Sequence, residues 1–313
     1  MAAKFTECTL AVKYRNEYPD GTVSGGPMYY LSKGMSDKGK PGLGKAAGVF
    51  FAIMCIFGTL GGGNMFQGNQ AHQMFSNTFG LFVGSGWLFG LILAILVGAV
   101  IIGGIKSIAR VTDKIVPFMA VLYVGTGAII LLVNIAQIPA AIGVVIAGAF
   151  SPTAITGGIV GVLIQGLKRA AFSNEAGVGS AAIAHAAVRT SEPLTEGYVA
   201  MLGPFIDTVI ICTMTAMVIV ITGAYTIDGV SGVALTAAAF QSVFPWFGTL
   251  LAAAVLLFAF STMISWSYYG LKCWTYLFGE SKTSELTYKA IFCIFVVIGC
   301  SASLGPVIDF SDV

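Results

Sequence analysis

Long apolar runs separated by short polar stretches organise this chain. No side chain is ionised between Lys45 and Lys106, and none between Lys114 and Lys168. Each run is long enough for two membrane crossings of roughly 20 residues and a turn. The pattern predicts helical spans at 45–75, 80–104, 116–138, 156–188, 197–224, 244–278 and 287–302, the fourth of them interrupted. Pro139, Pro152, Pro193 and Pro245 fall where spans should begin or end. Residues 1–12 read as the last turns of a helix, and 13–44 as a polar loop. Gly305-Pro306-Val307 begins a further element.

The interruption is the most informative departure from the pattern. Leu167 to Ser180 places Lys168, Arg169, Glu175, Asn174, two hydroxyls and two glycines where a helix should run through lipid. Such groups are costly in a bilayer unless they face a cavity, so they mark a functional site. A helix broken at that depth frees backbone groups that protein, ion or substrate must satisfy. Ser173 or Asn174 would cap the second half-helix, and Glu175 would favour its first turn. Gly177 and Gly179 would permit close backbone approach. Phe172 would cover the aliphatic part of a small substrate. Glu175 would repel a substrate carboxylate, so capping, gating, or pairing with Lys168 or Arg169 suits it better. The competing structural reading is a tight, ordinarily capped cytoplasmic loop.

Composition then narrows the class. With 57% apolar residues, 10% charged and a mean hydropathy of +0.88, the 313-residue chain reads as an all-α polytopic membrane protein. The net charge of +2 gives no hint of a nucleic-acid partner. If loops alternate sides, all of the 16 Lys and Arg residues except Lys168 and Arg169 fall on one face, which is therefore cytoplasmic. Six cysteines form no Cys-x-x-Cys pair, and ordinary helix packing accounts for them better than a metal site or disulfides. No cleavable leader is evident.

Three further constellations carry candidate chemistry. Asn64, Gln67 and Gln70 recur every third residue along one helix face. Their amides suit a zwitterion, or equally hydrogen bonds between helices. His72 beside them reads as a core histidine. Ser261 and Ser265 share a face, and Thr262 and Trp266 share the next. Their hydroxyls can ligate a hard cation, and the indole can wall a pocket; backbone-bonded hydroxyls and an interfacial aromatic are the structural alternative. Asp207 is the other carboxylate within a span, either paired with Lys168 or Arg169 or set along an ion path. No nucleophile–base pair, phosphate loop or metal-ligand cluster appears, so nothing argues for an enzyme.

Several stretches resemble one family, the alanine or glycine:cation symporters, sodium-coupled carriers of bacteria and archaea. They are Glu7–Arg15 (ECTLAVKYR), Gly25–Met35 (GGPMYYLSKGM), Gly63–Gln70 (GNMFQGNQ), segments within Phe172–Gly223 (FSNEAGVGSAAIAHAA and MLGPFIDTVIICTMTAMVIVITG) and Ser261–Leu271 (STMISWSYYGL). The resemblance implies a five-plus-five inverted-repeat transporter fold, with residues 45–138 in the first repeat and 156–313 a truncated second. It also implies a Gly-Thr-Gly-Asn break and a Phe-Trp-Met-Trp stretch upstream of Met1, and helices beyond Val313. On that reading the chain is a fragment holding half of a two-part site.

The resemblance further implies symport of alanine or glycine with sodium across the cytoplasmic membrane by alternating access, with no cofactor besides the coupling ion. Substrate would meet Gln67, Gln70, Phe172, Ser173, Asn174, Gly177 and Trp266. Sodium would meet Ser261, Thr262 and Ser265. Lys168, Arg169, Glu175 and Asp207 would gate or carry structural charge. A proton-coupled carrier of another small neutral amino acid, or an ion channel, is the alternative.

Overall fold

A computed structural model describes residues 1–19, 21–150 and 159–312. Helix α1 (Ala2–Lys13) leads into a two-residue hairpin, β1 (Asn16–Glu17) paired antiparallel with β2 (Val23–Ser24), and then α2 (Pro27–Asp37). The stretch 13–44 is thus largely structured rather than a loop. Pro27 sets the first turn of α2, and Met28 is fully buried.

Next come α3 (Pro41–Leu60), a π-helical turn (Gly61–Met65) and α4 (Phe66–Phe79), one continuous apolar stretch. Helices α5 (Gly86–Ile101) and α6 (Gly104–Val133) follow. Helix α6 starts well before the expected residue 116, so Lys106, Arg110 and Lys114 lie on its first turns. The loop expected after Gln137 holds α7 (Ile138–Ala149), with Pro139 in its first turn instead of ending a span. At about 18 Å, α7 is too short to cross a bilayer core of about 30 Å. The start of the interrupted span at 156, and Pro152, lie outside the described residues.

The second half runs α8 (Ile159–Asn174), the break, and α9 (Ala181–His185). Helix α10 (Pro193–Pro204), a π-helical segment (Phe205–Cys212) and α11 (Thr213–Ile221) make one span. Then come α12 (Val233–Val243), α13 (Phe247–Phe278), α14 (Lys282–Ser301) and α15 (Leu304–Ser311). Among the described residues five stretches are long and apolar enough to cross a membrane, which fits an all-α polytopic membrane protein.

Helix α13 is the central post, packed against α3, α4, α6 and α14. Cys55, Val97, Met263 and Phe292 join the larger core, and Ile130, Val218, Phe240 and Leu251 a smaller one. Lipid offers no hydrophobic drive between helices, so close backbone approach matters. One such approach is at Gly299, where a Cβ would strike the backbone of Met65 in the π-helical turn. Gly299→Val should therefore force α14 off that turn and cost about 1–3 kcal/mol of stability. A lowered melting temperature in detergent would register it, and an unchanged one would count against this packing.

A candidate substrate cavity at the broken helix

The polar interruption is a true break. Helix α8 ends at Asn174 and α9 starts at Ala181, with Glu175, Gly177 and Gly179 at φ of +56°, +93° and +85°. Only glycine adopts such angles without strain, and the two glycines keep the chain from re-entering a helix before Ser180. The Asn174 side-chain oxygen accepts from the Ala176 N–H at 2.9 Å, turning the chain out of α8. Ser173 and Asn174 thus close the first half-helix and do not cap the second. Glu175 lies in the break itself and accepts from the Ser180 hydroxyl at 2.7 Å.

The freed backbone is met by α1. Lys4, 6% exposed, donates from Nζ to the Asn174 carbonyl at 3.0 Å, one of the acceptors that a helix C-terminus leaves open. Glu7, one turn on, brings its carboxylate beside the backbone of Gly177 and Gly179. Below the break, the Arg15 guanidinium donates to the carbonyls of Ala186, Val188 and Thr190 at 3.1, 2.7 and 3.0 Å. His185 of α9 pairs with Glu196 of α10. The sequence reading missed Lys4, Glu7 and Arg15 as partners of the break. Its one local signal was a cation and an anion three residues apart in an apolar stub.

Beside the break lies a cavity of about 270 Å³, lined by Gly62, Gln67, Phe172, Ser173, Glu175, Thr262 and Trp266. It exists because of two glycines in the π-helical turn. A Cβ at Gly62 would lie 2.7 Å from Phe172 Cε2, and one at Gly63 would lie 2.5 Å from Trp266 Cγ. Phe172 is further held edge-on to Phe66, centroids 5.6 Å apart. Gln67 donates to the Gly62 carbonyl at 3.0 Å.

Six of the residues singled out in the sequence meet in this wall: Gln67, Phe172, Ser173 and Trp266 from the substrate set, Thr262 from the ion set, and Glu175 from the gating set. Others go elsewhere. Gln70 turns to α12, accepting from the Val233 N–H at 3.0 Å and donating to Asn69, and Asn64 donates to the Phe292 carbonyl at 2.7 Å. Asn174 donates to the Thr208 hydroxyl at 2.8 Å, and Gly177 faces open space. Ser261 donates to the Phe258 carbonyl at 3.0 Å and faces Met119 of α6. The Thr262/Trp266 face of α13 lines the cavity and the Ser261/Ser265 face does not, as residues one position apart on a helix point about 100° apart.

The expected charge pairing is corrected. Lys168 and Arg169 pair neither with Glu175 nor with Asp207; both bind Asp312, at 2.7 and 2.9 Å. Asp207 instead accepts from Ser173 at 2.8 Å and from Thr208 at 3.1 Å. It lines a second, larger cavity of about 480 Å³ with Ser173, Tyr123 and Thr215. His72 contacts the Phe82 carbonyl at 3.1 Å.

Comparison with known proteins bears on this site. A family model described as "Sodium:alanine symporter family" matches residues 1–313. The sodium/alanine symporter AgcS of Methanococcus maripaludis is 43% identical over all of this chain and 68% of its own length. An uncharacterized transporter of Haemophilus influenzae is 39% identical with the same coverage. The probable sodium/glutamine symporter GlnT of Bacillus subtilis is 37% identical over 99% of the chain and 63% of its own length. The chain thus spans about two thirds of the length of these relatives.

Proposed function

Because the chain belongs to the sodium:alanine symporter family, we propose that the protein containing it carries alanine or glycine together with sodium, and that the cavity beside the break receives the amino acid. The family is one of cation-coupled amino-acid symporters, not enzymes, and the chain is a multi-pass protein of a prokaryotic cell membrane.

The observation that carries the substrate reading is the chemistry of the cavity wall. An amide and two hydroxyls, from Gln67, Ser173 and Thr262, share the wall with the rings of Phe172 and Trp266. The Thr262 hydroxyl and the second amide hydrogen of Gln67 can donate to a carboxylate, Ser173 having given its proton to Asp207, and Glu175 offers an acceptor to an ammonium. At about 270 Å³ the cavity falls just below the usual range of roughly 300–1,000 Å³ for ligand pockets, which favours a small solute. The similarity to AgcS supports alanine, and the similarity to GlnT makes glutamine the competitor to test.

For the coupling ion, Thr262 is the hydroxyl of its group that reaches the cavity, and oxygen donors suit sodium. Ser261 and Ser265 lie on the face of the helix that does not line the cavity, and the Ser261 hydroxyl is already engaged by its own helix, so Thr262 carries the ion role in this reading.

The test is uptake by the full natural polypeptide containing this sequence, reconstituted in liposomes. A sodium gradient should drive saturable accumulation of alanine or glycine, and a proton gradient alone should not. Uptake indifferent to sodium, or confined to glutamine, would overturn the assignment.

A further inference from the structure

A smaller recess adjoins the cavity, and the walls it adds are less polar. It measures about 120 Å³ and shares four walls with its neighbour: Gly62, Phe172, Glu175 and Trp266. Its remaining walls are Gly58, Ala171, Val178 and Ser311, three apolar or side-chain-free residues and one hydroxyl. The larger chamber holds Gln67, Ser173 and Thr262, and the recess holds none of them. A zwitterion in the polar chamber can therefore point a small apolar substituent into the recess.

We infer that the recess receives the side chain of the transported amino acid, and that Gly58 and Val178 set the size it accepts. This inference rests on the proposed placement of substrate in the adjoining cavity. About 120 Å³ equals the liquid volume of about four water molecules, so the recess holds a side chain of a few heavy atoms. Gly58 is the wall that can be changed most cleanly. A Cβ there meets only Trp266 Cζ3, at 4.0 Å, so a methyl enters the recess without moving its walls. A Cβ at Gly62 would instead drive Phe172 out of place. Val178 lies in the break, 43% exposed, so shortening it removes little packing.

The experiment measures kcat/KM for glycine, alanine and 2-aminobutyrate in the full natural polypeptide and in two single variants. Gly58→Ala narrows the recess and should lower the alanine-to-glycine ratio about tenfold, as one methyl group can. Val178→Ala widens it and should raise the 2-aminobutyrate-to-alanine ratio. Alanine also favours helix more than glycine does, so Gly58→Ala should fold at least as well as the parent. Both ratios staying within about twofold of the parent, with uptake intact, would overturn the recess assignment and leave the cavity assignment standing. A parent that takes up neither alanine nor glycine would overturn the cavity assignment itself. If Gly58→Ala loses all uptake, an unaltered ratio in Val178→Ala overturns the inference and a raised one supports it.

Discussion

Lys4→Met should unfold at a lower temperature than the parent and bind substrate far more weakly, although Lys4 is not among the residues lining the cavity. Methionine keeps the length and apolar stem of lysine but not its charge or donors. The Asn174 carbonyl, at the end of α8, then loses the donor that holds it at 3.0 Å. Glu7 and Glu175 also lose the cation that acts on both of them. Lys4 is buried and the two carboxylates are half-buried, and losing a hydrogen bond from a charged donor costs about 1.5–3 kcal/mol. The break then shifts, and Ser173, Glu175 and Phe172 shift with it. Thermal unfolding in detergent and equilibrium binding of alanine read the two effects separately. The double variant Lys4→Met/Glu7→Gln divides them further. Neutralising Glu7 as well should recover the part of the stability lost through that carboxylate. Binding should remain impaired, since the Asn174 carbonyl still lacks its donor. Full binding in the single variant would show that α1 does not hold the break.

The break was legible because its polar groups sit in an apolar run, a contrast that needs no knowledge of the fold. Its internal geometry was less so. Ser-Asn-Glu reads as a helix start, yet in the structure it closes α8, because Gly177 and Gly179 hold left-handed angles and delay the next helix to Ala181. Gln67 and Gln70 looked equivalent by spacing. They differ because α12 stands beside one and Phe172 beside the other, contacts that helix periodicity does not encode. The partner of Lys168 and Arg169 lies more than 140 residues away at Asp312, beyond any local pattern. The π-helical turn at Gly61–Met65 was equally hidden: three glycines announce close approach, but not what approaches.

What approaches at Gly63 is Trp266, and this gives the second large effect. In Gly63→Ala the new methyl would sit 2.5–2.6 Å from Cγ, Cβ and Cδ2 of the indole, inside any real carbon–carbon contact. Both partners belong to long helices in the core, so neither backbone yields easily, and the indole must turn. Its way out is the cavity it walls. The substitution should weaken alanine binding by at least about tenfold, equivalent to about 1.4 kcal/mol. Overpacking of this kind also costs about 1–3 kcal/mol of stability. Trp266→Leu in the same background makes room for the methyl. Because the two positions touch, their effects on stability should not add, and the double variant should be more stable than Gly63→Ala alone. Binding should not return with it, since the aromatic wall is gone. Stability costs that simply add in the double variant would mean that Gly63 and Trp266 do not press on one another, and that the cavity is held open by something else.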